Sequence, residues 1–297
     1  MSTERQKSPL LKLRIEARSS SDTPRLISAL EAIAKNHPMI FINTGKENSE
    51  TVIGGDSELH LDQVVDQIRQ QGIAVEIFLP QIAYRETIWR HVKTDYTHKK
   101  LIGGKGEFAR VILEIGPTLR DEGNSFKSDI AENILPHKFI EGVKRGLDSV
   151  LTEGPIIGSP VADVGIILID AAYHDTDSSL LAFEIAARAA LRQAFDSADA
   201  VLLEPVMKVA VTSEPQFIGQ IISDLHSRRG QVVATIDEAE AITVKALVPL
   251  ANMLGYQLKL AALSANSATF TMEYSHYQPV LPPTGPDNFR PAMAMRA

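Results

Sequence analysis

The residues best equipped for chemistry lie in the loop Asp170-Ala171-Ala172-Tyr173-His174-Asp175-Thr176-Asp177-Ser178-Ser179. An aromatic ring, an imidazole and several hydroxyls packed together suit stacking on bases and hydrogen bonding to ribose or phosphate oxygens. Asp170, His174, Asp175 and Asp177 also read as oxygen and nitrogen ligands for a divalent cation, which would make the loop the centre of a metal hydrolase. Against that stands the lack of a further histidine at ligand spacing and of a partner to activate water. A third reading is structural: Ser178 or Ser179 caps the following helix and the aspartates favour its N-terminus. Capping explains the serines and Asp177 but leaves Tyr173 and His174 without a role.

A second candidate is Gly103-Gly104-Lys105-Gly106, inside the stretch His98 to Arg110. Its four cations, Lys99, Lys100, Lys105 and Arg110, face the single acid Glu107. Glycines let a backbone lie along a phosphate chain while the long cations supply positive potential, so the stretch reads as a basic finger for RNA; the alternative is an exposed hairpin turn. It is not a nucleotide cradle. It lacks the Ser or Thr that would meet magnesium, and it runs into a strand rather than a helix. Arg228 and Arg229, at a helix end beside Gly230, fit either a helix dipole or a grip on RNA or on a neighbouring domain. Ser57-Glu58-Leu59-His60 is no triad, because adjacent helical residues point apart.

The elements that must hold these loops follow from periodicity. Alternation at Leu11, Leu13 and Ile15 predicts a strand; Leu26, Ile27, Leu30 and Ile33 predict a helix from about Thr23 that Pro38 stops. Strands at 39–43 and 50–53, joined by a polar Gly-Lys-Glu-Asn turn, precede a helix over 57–70 that buries Leu61, Val64, Val65 and Ile68. Gly72 and a strand at 73–78 close a β-α-β-β-α-β unit. The same order returns near the other end, with strands at 206–211, 232–236, 242–247 and 268–274 and a short helix at 250–254. There Ser213 and Gln216 predict a capping box ahead of a helix carrying Phe217, Ile218, Ile221, Ile222 and Leu225. Between the two units, strands are expected at 108–115 and 161–169 and helices at 137–151 and 180–195, the last with an alanine-rich seam. The chain from Pro279 onward reads as a loosely ordered, Pro-rich tail.

Composition narrows the functions available. With 297 residues the chain can bury two or three modest cores, and with no cysteine it has no disulfide, thiolate zinc site or cysteine nucleophile. The apolar runs are too short to span a bilayer, and the absence of an apolar N-terminal run fits the cytoplasm. A formal charge of −7 argues against a protein that wraps nucleic acid with its whole surface, while leaving room for a basic tip.

Taken in chain order, several blocks resemble the C-terminal three domains of bacterial elongation factor G, the translocase GTPase family. They are Gly54-Gly55-Asp56-Ser57-Glu58-Leu59-His60-Leu61, Pro80-Gln81-Ile82-Ala83-Tyr84-Arg85-Glu86-Thr87, Gly103-Gly104-Lys105-Gly106, Ile156-Ile157-Gly158-Ser159-Pro160-Val161, Tyr173-His174-Asp175-Thr176-Asp177-Ser178-Ser179, Leu203-Glu204-Pro205-Val206-Met207, Asp224-Leu225-His226-Ser227-Arg228-Arg229-Gly230 and Val248-Pro249-Leu250-Ala251-Asn252-Met253-Leu254-Gly255-Tyr256. The resemblance implies an α+β fold. Two ferredoxin-like units, at 9–84 and 204–280, would flank an elongated domain at 85–203 like the second domain of ribosomal protein S5, with a tail at 281–297.

It further implies that the middle domain enters the small-subunit decoding region during tRNA–mRNA movement. Its tip would be made of Gly103, Gly104, Lys105 and Gly106 with Tyr173, His174, Asp175, Asp177 and Ser178, where His174 matches the family's tip histidine. The last unit would lie near the factor-binding RNA of the large subunit, with Arg228 and Arg229 available to RNA. The first would meet a small-subunit protein and the protein's own GTPase domain. On this reading the chain is a monomer with no catalytic residue, metal or cofactor; GTP and Mg belong to the GTPase domain of a full-length parent, absent from this polypeptide by construction or by evolution. The alternative is a noncatalytic recycling or protection paralogue. Departures include Asp56-Ser57 where many relatives have Met-Gly, and Glu107, whose charge is expected to repel RNA phosphate.

Overall fold

A computed structural model of the protein describes residues 9–37, 40–44, 51–103, 105–131, 134–238 and 241–280. The expected polar turn at 45–48, Pro38, Gly104 and the tail at 281–297 lie outside them, as does the Lys105 side chain. The chain forms two compact units, one joining the residues up to Ala83 with those from Glu204 onward, the other spanning Tyr84–Leu203.

In the first unit the N-terminal part runs β1 (Leu11–Ala17), α1 (Thr23–Asn36), β2 (Phe41–Thr44), β3 (Thr51–Gly55), α2 (Glu58–Gln70) and β4 (Val75–Ile77). Strand β1 buries Leu11, Leu13 and Ile15, the alternation that a sheet covered on one face requires. The strand order β2-β3-β1-β4 is ferredoxin-like, and β5 (Gln81–Ile82) adds to β1. Helix α2 buries Leu61, Val64, Val65 and Ile68, and the Ser57 side chain caps it by accepting the His60 N–H at 3.3 Å. Gly72 leaves that helix with φ +73°, a left-handed conformation that costs a glycine little.

The second unit, Tyr84–Leu203, begins with β6 (Arg85–Ile88). The hairpin β7 (Val92–Ile102) and β8 (Lys105–Pro117) follows, then β9 (Ser125–Ser128), α3 (His137–Thr152), β10 (Val164–Ala172) and α4 (Leu180–Ser197). Strand β11 (Ala200–Ser213) starts here, pairing with β6 from Ala200 to Leu203. The sheet order is β7-β8-β10-β9, antiparallel except that β9 runs parallel to β10. Helices α3 and α4 pack on each other at close range. A Cβ on Gly142 would come within 2.5 Å of the Leu180 carbonyl oxygen, and one on Gly146 within 2.3 Å of that of Glu184. The expected alanine seam, Ala182, Ala186, Ala187 and Ala190, is fully buried against this junction.

The C-terminal part belongs to the first unit. The rest of β11 is followed by α5 (Ile218–Ser227), β12 (Gln231–Glu238), β13 (Ala241–Pro249), α6 (Tyr256–Leu263) and β14 (Thr269–Pro279), in sheet order β12-β13-β11-β14. This is again ferredoxin-like. Two bonds tie it to the N-terminal part: Gly255 N–H donates to Glu58, at the start of α2, at 2.8 Å, and the Tyr277 hydroxyl donates to the Ala83 carbonyl at 2.8 Å.

Several expectations are corrected. The Ser213–Gln216 capping box does not form: the Ser213 hydroxyl is buried without a partner among the described residues, and Gln216 donates to Glu214 instead. A 3-10 turn at Pro215–Phe217 starts the helix in its place. The helix expected at 250–254 is a 3-10 turn over Leu250–Asn252, after which Gly255 at φ 67° admits α6. Strands β7 and β9 form where periodicity predicts none, and β10 runs to Ala172, three residues beyond the predicted end at Ile169.

The second unit has a polar keystone. The fully buried Glu86 carboxylate accepts the N–H groups of Ile156 at 2.8 Å, Ile157 at 2.8 Å and Ser159 at 3.0 Å. Gly154 must be a glycine for this to fit, since its Cβ would sit 2.2 Å from a Glu86 carboxylate oxygen. Glu86→Ala would strand three donors, so urea unfolding should show this unit destabilised by about 3 kcal/mol or more. A loss below about 1 kcal/mol would mean that the 154–160 loop does not depend on Glu86.

Candidate nucleic-acid interface

Two loops meet at one end of the β7–β8–β10 sheet. Antiparallel pairing of β10 with β8 places Ala172 opposite Arg110, so the chain leaves β10 beside the hairpin turn. There the loops are bonded to each other: the Phe108 N–H donates to the Asp177 carbonyl at 2.9 Å, and the Ser178 hydroxyl donates to the Phe108 carbonyl at 2.6 Å. Gly106 allows the approach, because a Cβ there would stand 2.6 Å from Asp177 Cγ.

The same hydroxyl shapes the loop internally. Ser178 Oγ accepts the His174 N–H at 2.9 Å, and the Ser178 N–H donates back to the His174 carbonyl at 3.1 Å. Ser179 caps α4 by accepting the Ala182 N–H at 3.1 Å, which bears out the capping reading for that serine. His174 stands with 60% of its side chain exposed; Thr176 Oγ1 lies 3.1 Å from its Nδ1, and Asp177 Oδ2 lies 3.6 Å from it. Asp175 is exposed. Tyr173 is anchored on one side, its ring 5.4 Å from that of Phe139, which stacks in turn on Phe183 at 4.7 Å.

The metal-ligand reading finds no geometry. Among the described residues no three His, Asp or Glu side chains form a group that would hold a metal ion. Asp170 accepts the Ala171 N–H at 2.9 Å and lies 3.9 Å from Arg110, apart from the His174 cluster.

The finger is less basic than its composition suggests. Arg110 donates to Asp95, at 2.9 Å through Nε, and this hydrogen bond holds the Asp95 carboxyl below the usual carboxylate range. Glu107 lies 3.1 Å from Nε2 of His98, a histidine only 5% exposed, so its carboxylate is engaged within the hairpin rather than standing alone toward a phosphate. Among the described side chains of the finger, Lys99 and Lys100 remain as exposed cations. Gly103, at φ 58°, makes the turn between two strands, which leaves no helix N-terminus where a nucleotide phosphate would bind. His98 and Phe139 are site residues to which the sequence alone assigns no role, and Thr176, named there only as part of the loop, gains a specific one. The roles of His98 and Thr176 become visible only when β7 is recognised as a strand and the loop is folded.

Arg228 and Arg229 belong to the other unit and are used by it. Arg228 donates to Asp224 at 2.7 Å and to the Asn252 carbonyl at 2.6 Å, with its guanidinium 4.9 Å above the Tyr256 ring. Arg229, itself at φ 61°, holds the buried Glu204 carboxylate with both terminal nitrogens, at 2.6 and 3.3 Å. Tyr256 is buried, and its hydroxyl has no partner among the described residues. Burial chiefly, with Asp224 adding to it and Arg228 opposing, pushes its ionisation well above the ordinary tyrosine range.

Comparison with known proteins gives three family matches in chain order. Residues 7–78 match the family described as Elongation Factor G, domain III, residues 80–199 Elongation factor G, domain IV, and residues 201–284 Elongation factor G C-terminus. The chain is 44% identical over 273 residues to elongation factor G of Paracoccus denitrificans and 45% identical over 273 residues to that of Cereibacter sphaeroides, strain KD131. Each alignment covers 92% of this chain and 39% of the relative, so the chain spans about two fifths of the length of these proteins. A crystal structure of a Thermus thermophilus protein superposes with a TM-score of 0.70 at 31% identity, over 94% of this chain and 42% of that one.

Two outcomes follow from the geometry. Ser178→Ala removes the bridge between the loops, so the His174 amide should exchange with solvent about ten-fold faster or more, as loss of one hydrogen bond allows; unchanged protection would refute the bridge. For Tyr256, the unfolded phenol ionises first as pH rises, so its contribution to stability is present below the ordinary tyrosine range and is lost above it. Tyr256→Phe should therefore leave neutral-pH stability within about 1 kcal/mol of the original and lessen alkaline unfolding. A larger neutral-pH loss would show that the hydroxyl has a partner.

Proposed function

Because this chain belongs to the elongation factor G family, carrying regions that match its third, fourth and C-terminal domains, we propose that it is the ribosome-engaging portion of a translational GTPase that promotes tRNA–mRNA translocation. In this reading the regions are 9–84, 85–203 and 204–280, and the middle one reaches the small-subunit decoding region. The observation that carries the proposal is the tip: two loops bonded to each other that present His174, with exposed Lys99 and Lys100 on the adjoining strand.

The task assigned to that tip is to hold a shape and make contacts. No proton transfer is asked of the imidazole. Lys99 and Lys100 supply local attraction to phosphate within a chain of charge −7, so binding to ribosomes is weak and falls as salt rises. The remaining partners are the factor-binding RNA of the large subunit, a small-subunit protein and a GTPase domain, in the cytoplasm. Among the described residues no helix is long and apolar enough to cross a membrane. GTP and Mg are assigned to the GTPase domain; among the described residues no three His, Asp or Glu side chains form a group that would hold a metal ion. Arg228 and Arg229 would meet RNA only through what their ion pairs leave exposed, and Gly103 to Gly106 chiefly through backbone.

The test is a chimera in which this chain replaces the matching region of the Paracoccus denitrificans protein, assayed for single-turnover translocation. His174→Ala should slow the step about ten-fold, equivalent to about 1.4 kcal/mol. An unchanged rate would remove His174 from the reading, and ribosome splitting without translocation would replace it with a recycling role.

A further inference from the structure

His174 Nδ1 faces two oxygens, Thr176 Oγ1 at 3.1 Å and Asp177 Oδ2 at 3.6 Å. The single hydroxyl proton of Thr176 is already committed, since Oγ1 donates to Asp177 Oδ1 at 3.0 Å and an ionised carboxylate can only accept. Toward the imidazole the hydroxyl therefore has only lone pairs to offer. A hydrogen bond between the two then requires the ring proton to sit on Nδ1. In a neutral ring the other nitrogen, Nε2, is then an acceptor, because the partner of one ring nitrogen sets the state of the other.

We infer that Thr176 and Asp177 are positioning residues that lock His174 in its Nδ1–H tautomer and present Nε2 as a hydrogen-bond acceptor. The loop holds the pivot as well as the ring: the His174 N–H is bound by Ser178, which in turn is bound to Phe108. Gly106 belongs to the same device, since a side chain there would displace the Asp177 carboxylate on which Thr176 depends. The chemical consequence is selective. A neutral acceptor at the exposed tip matches a group with a proton to give, such as a ribose 2′-hydroxyl or a base amino group, whereas a phosphate oxygen offers no proton to it. That choice of partner rests on the ribosomal reading above. The tautomer does not.

The experiment is a two-bond ¹H–¹⁵N correlation spectrum of the uniformly ¹⁵N-labelled 297-residue chain at about pH 8.5, where an ordinary imidazole is neutral. His174→Gln assigns the signal. The expected result is a pattern dominated by Nδ1–H at His174, kept in Thr176→Ser. In Thr176→Val the ratio of Nδ1–H to Nε2–H should fall about five-fold or more, as loss of one hydrogen bond predicts. A wild-type pattern dominated by Nε2–H, or a Thr176→Val spectrum matching wild type, overturns the lock. Because the spectrum needs no ribosome, an Nδ1–H pattern beside unimpaired translocation in His174→Ala would remove His174 from the ribosomal reading and leave the lock standing.

Discussion

One hydroxyl joins the two halves of the tip. Ser178 Oγ donates to the Phe108 carbonyl on the hairpin and accepts the His174 N–H on its own loop, so the position of the imidazole and the docking of the loops are a single arrangement. Bonded to each other, the two loops share the sheet below them as a common support. That sheet is stiffened from behind by two helices whose contact depends on Gly142 and Gly146. Phe139 and Phe183 carry the helix packing outward to Tyr173, so the aromatic that a loop reading assigns to base stacking is half spent on anchoring.

The charge distribution follows a related logic. Most arginines with apparent freedom in the sequence are engaged in the fold: Arg110 with Asp95, Arg228 with Asp224, Arg229 with Glu204. Pairs such as Arg229 and the buried Glu204 are weak evidence of net stability, because desolvation opposes the attraction. Their service is geometric, fixing a left-handed residue at the end of α5 and a carboxylate beneath it. Glu107 illustrates the same point. Viewed as one letter among lysines it is a repulsive intruder, and folded it is the partner of a buried histidine.

How much was legible depended on whether a single face was buried. Strand β1 and helices α1, α2 and α4 have one apolar side, and their periodicity declares them. Strand β7 reads VKTDYTHKKLI, and of its inward residues Val92, Thr94, Tyr96 and His98 the two that are buried, Thr94 and His98, are polar, so no apolar period marks it. Helix α6 carries leucines on more than one side, with Leu260 buried and Leu258 80% exposed, and therefore shows no stripe. The capping box failed because Ser213 lies at the end of a long strand, where its hydroxyl points into the core. At the site, residue types identified the loop and its histidine. The Thr176–Asp177 pairing and the role of Ser178 depend on backbone direction, which single letters do not carry.

The central claim is that this two-loop tip is the part of the molecule that meets ribosomal RNA. The chain has no cysteine, so it adds no background of its own to a single one placed in it. Asp175→Cys, on the exposed turn beside His174, can carry a tethered iron chelate that cuts nearby RNA when the chimeric factor is bound to ribosomes. The account predicts cleavage concentrated in the decoding region of the small subunit. Cleavage confined to the large subunit, or none from a factor shown to be bound, would contradict it.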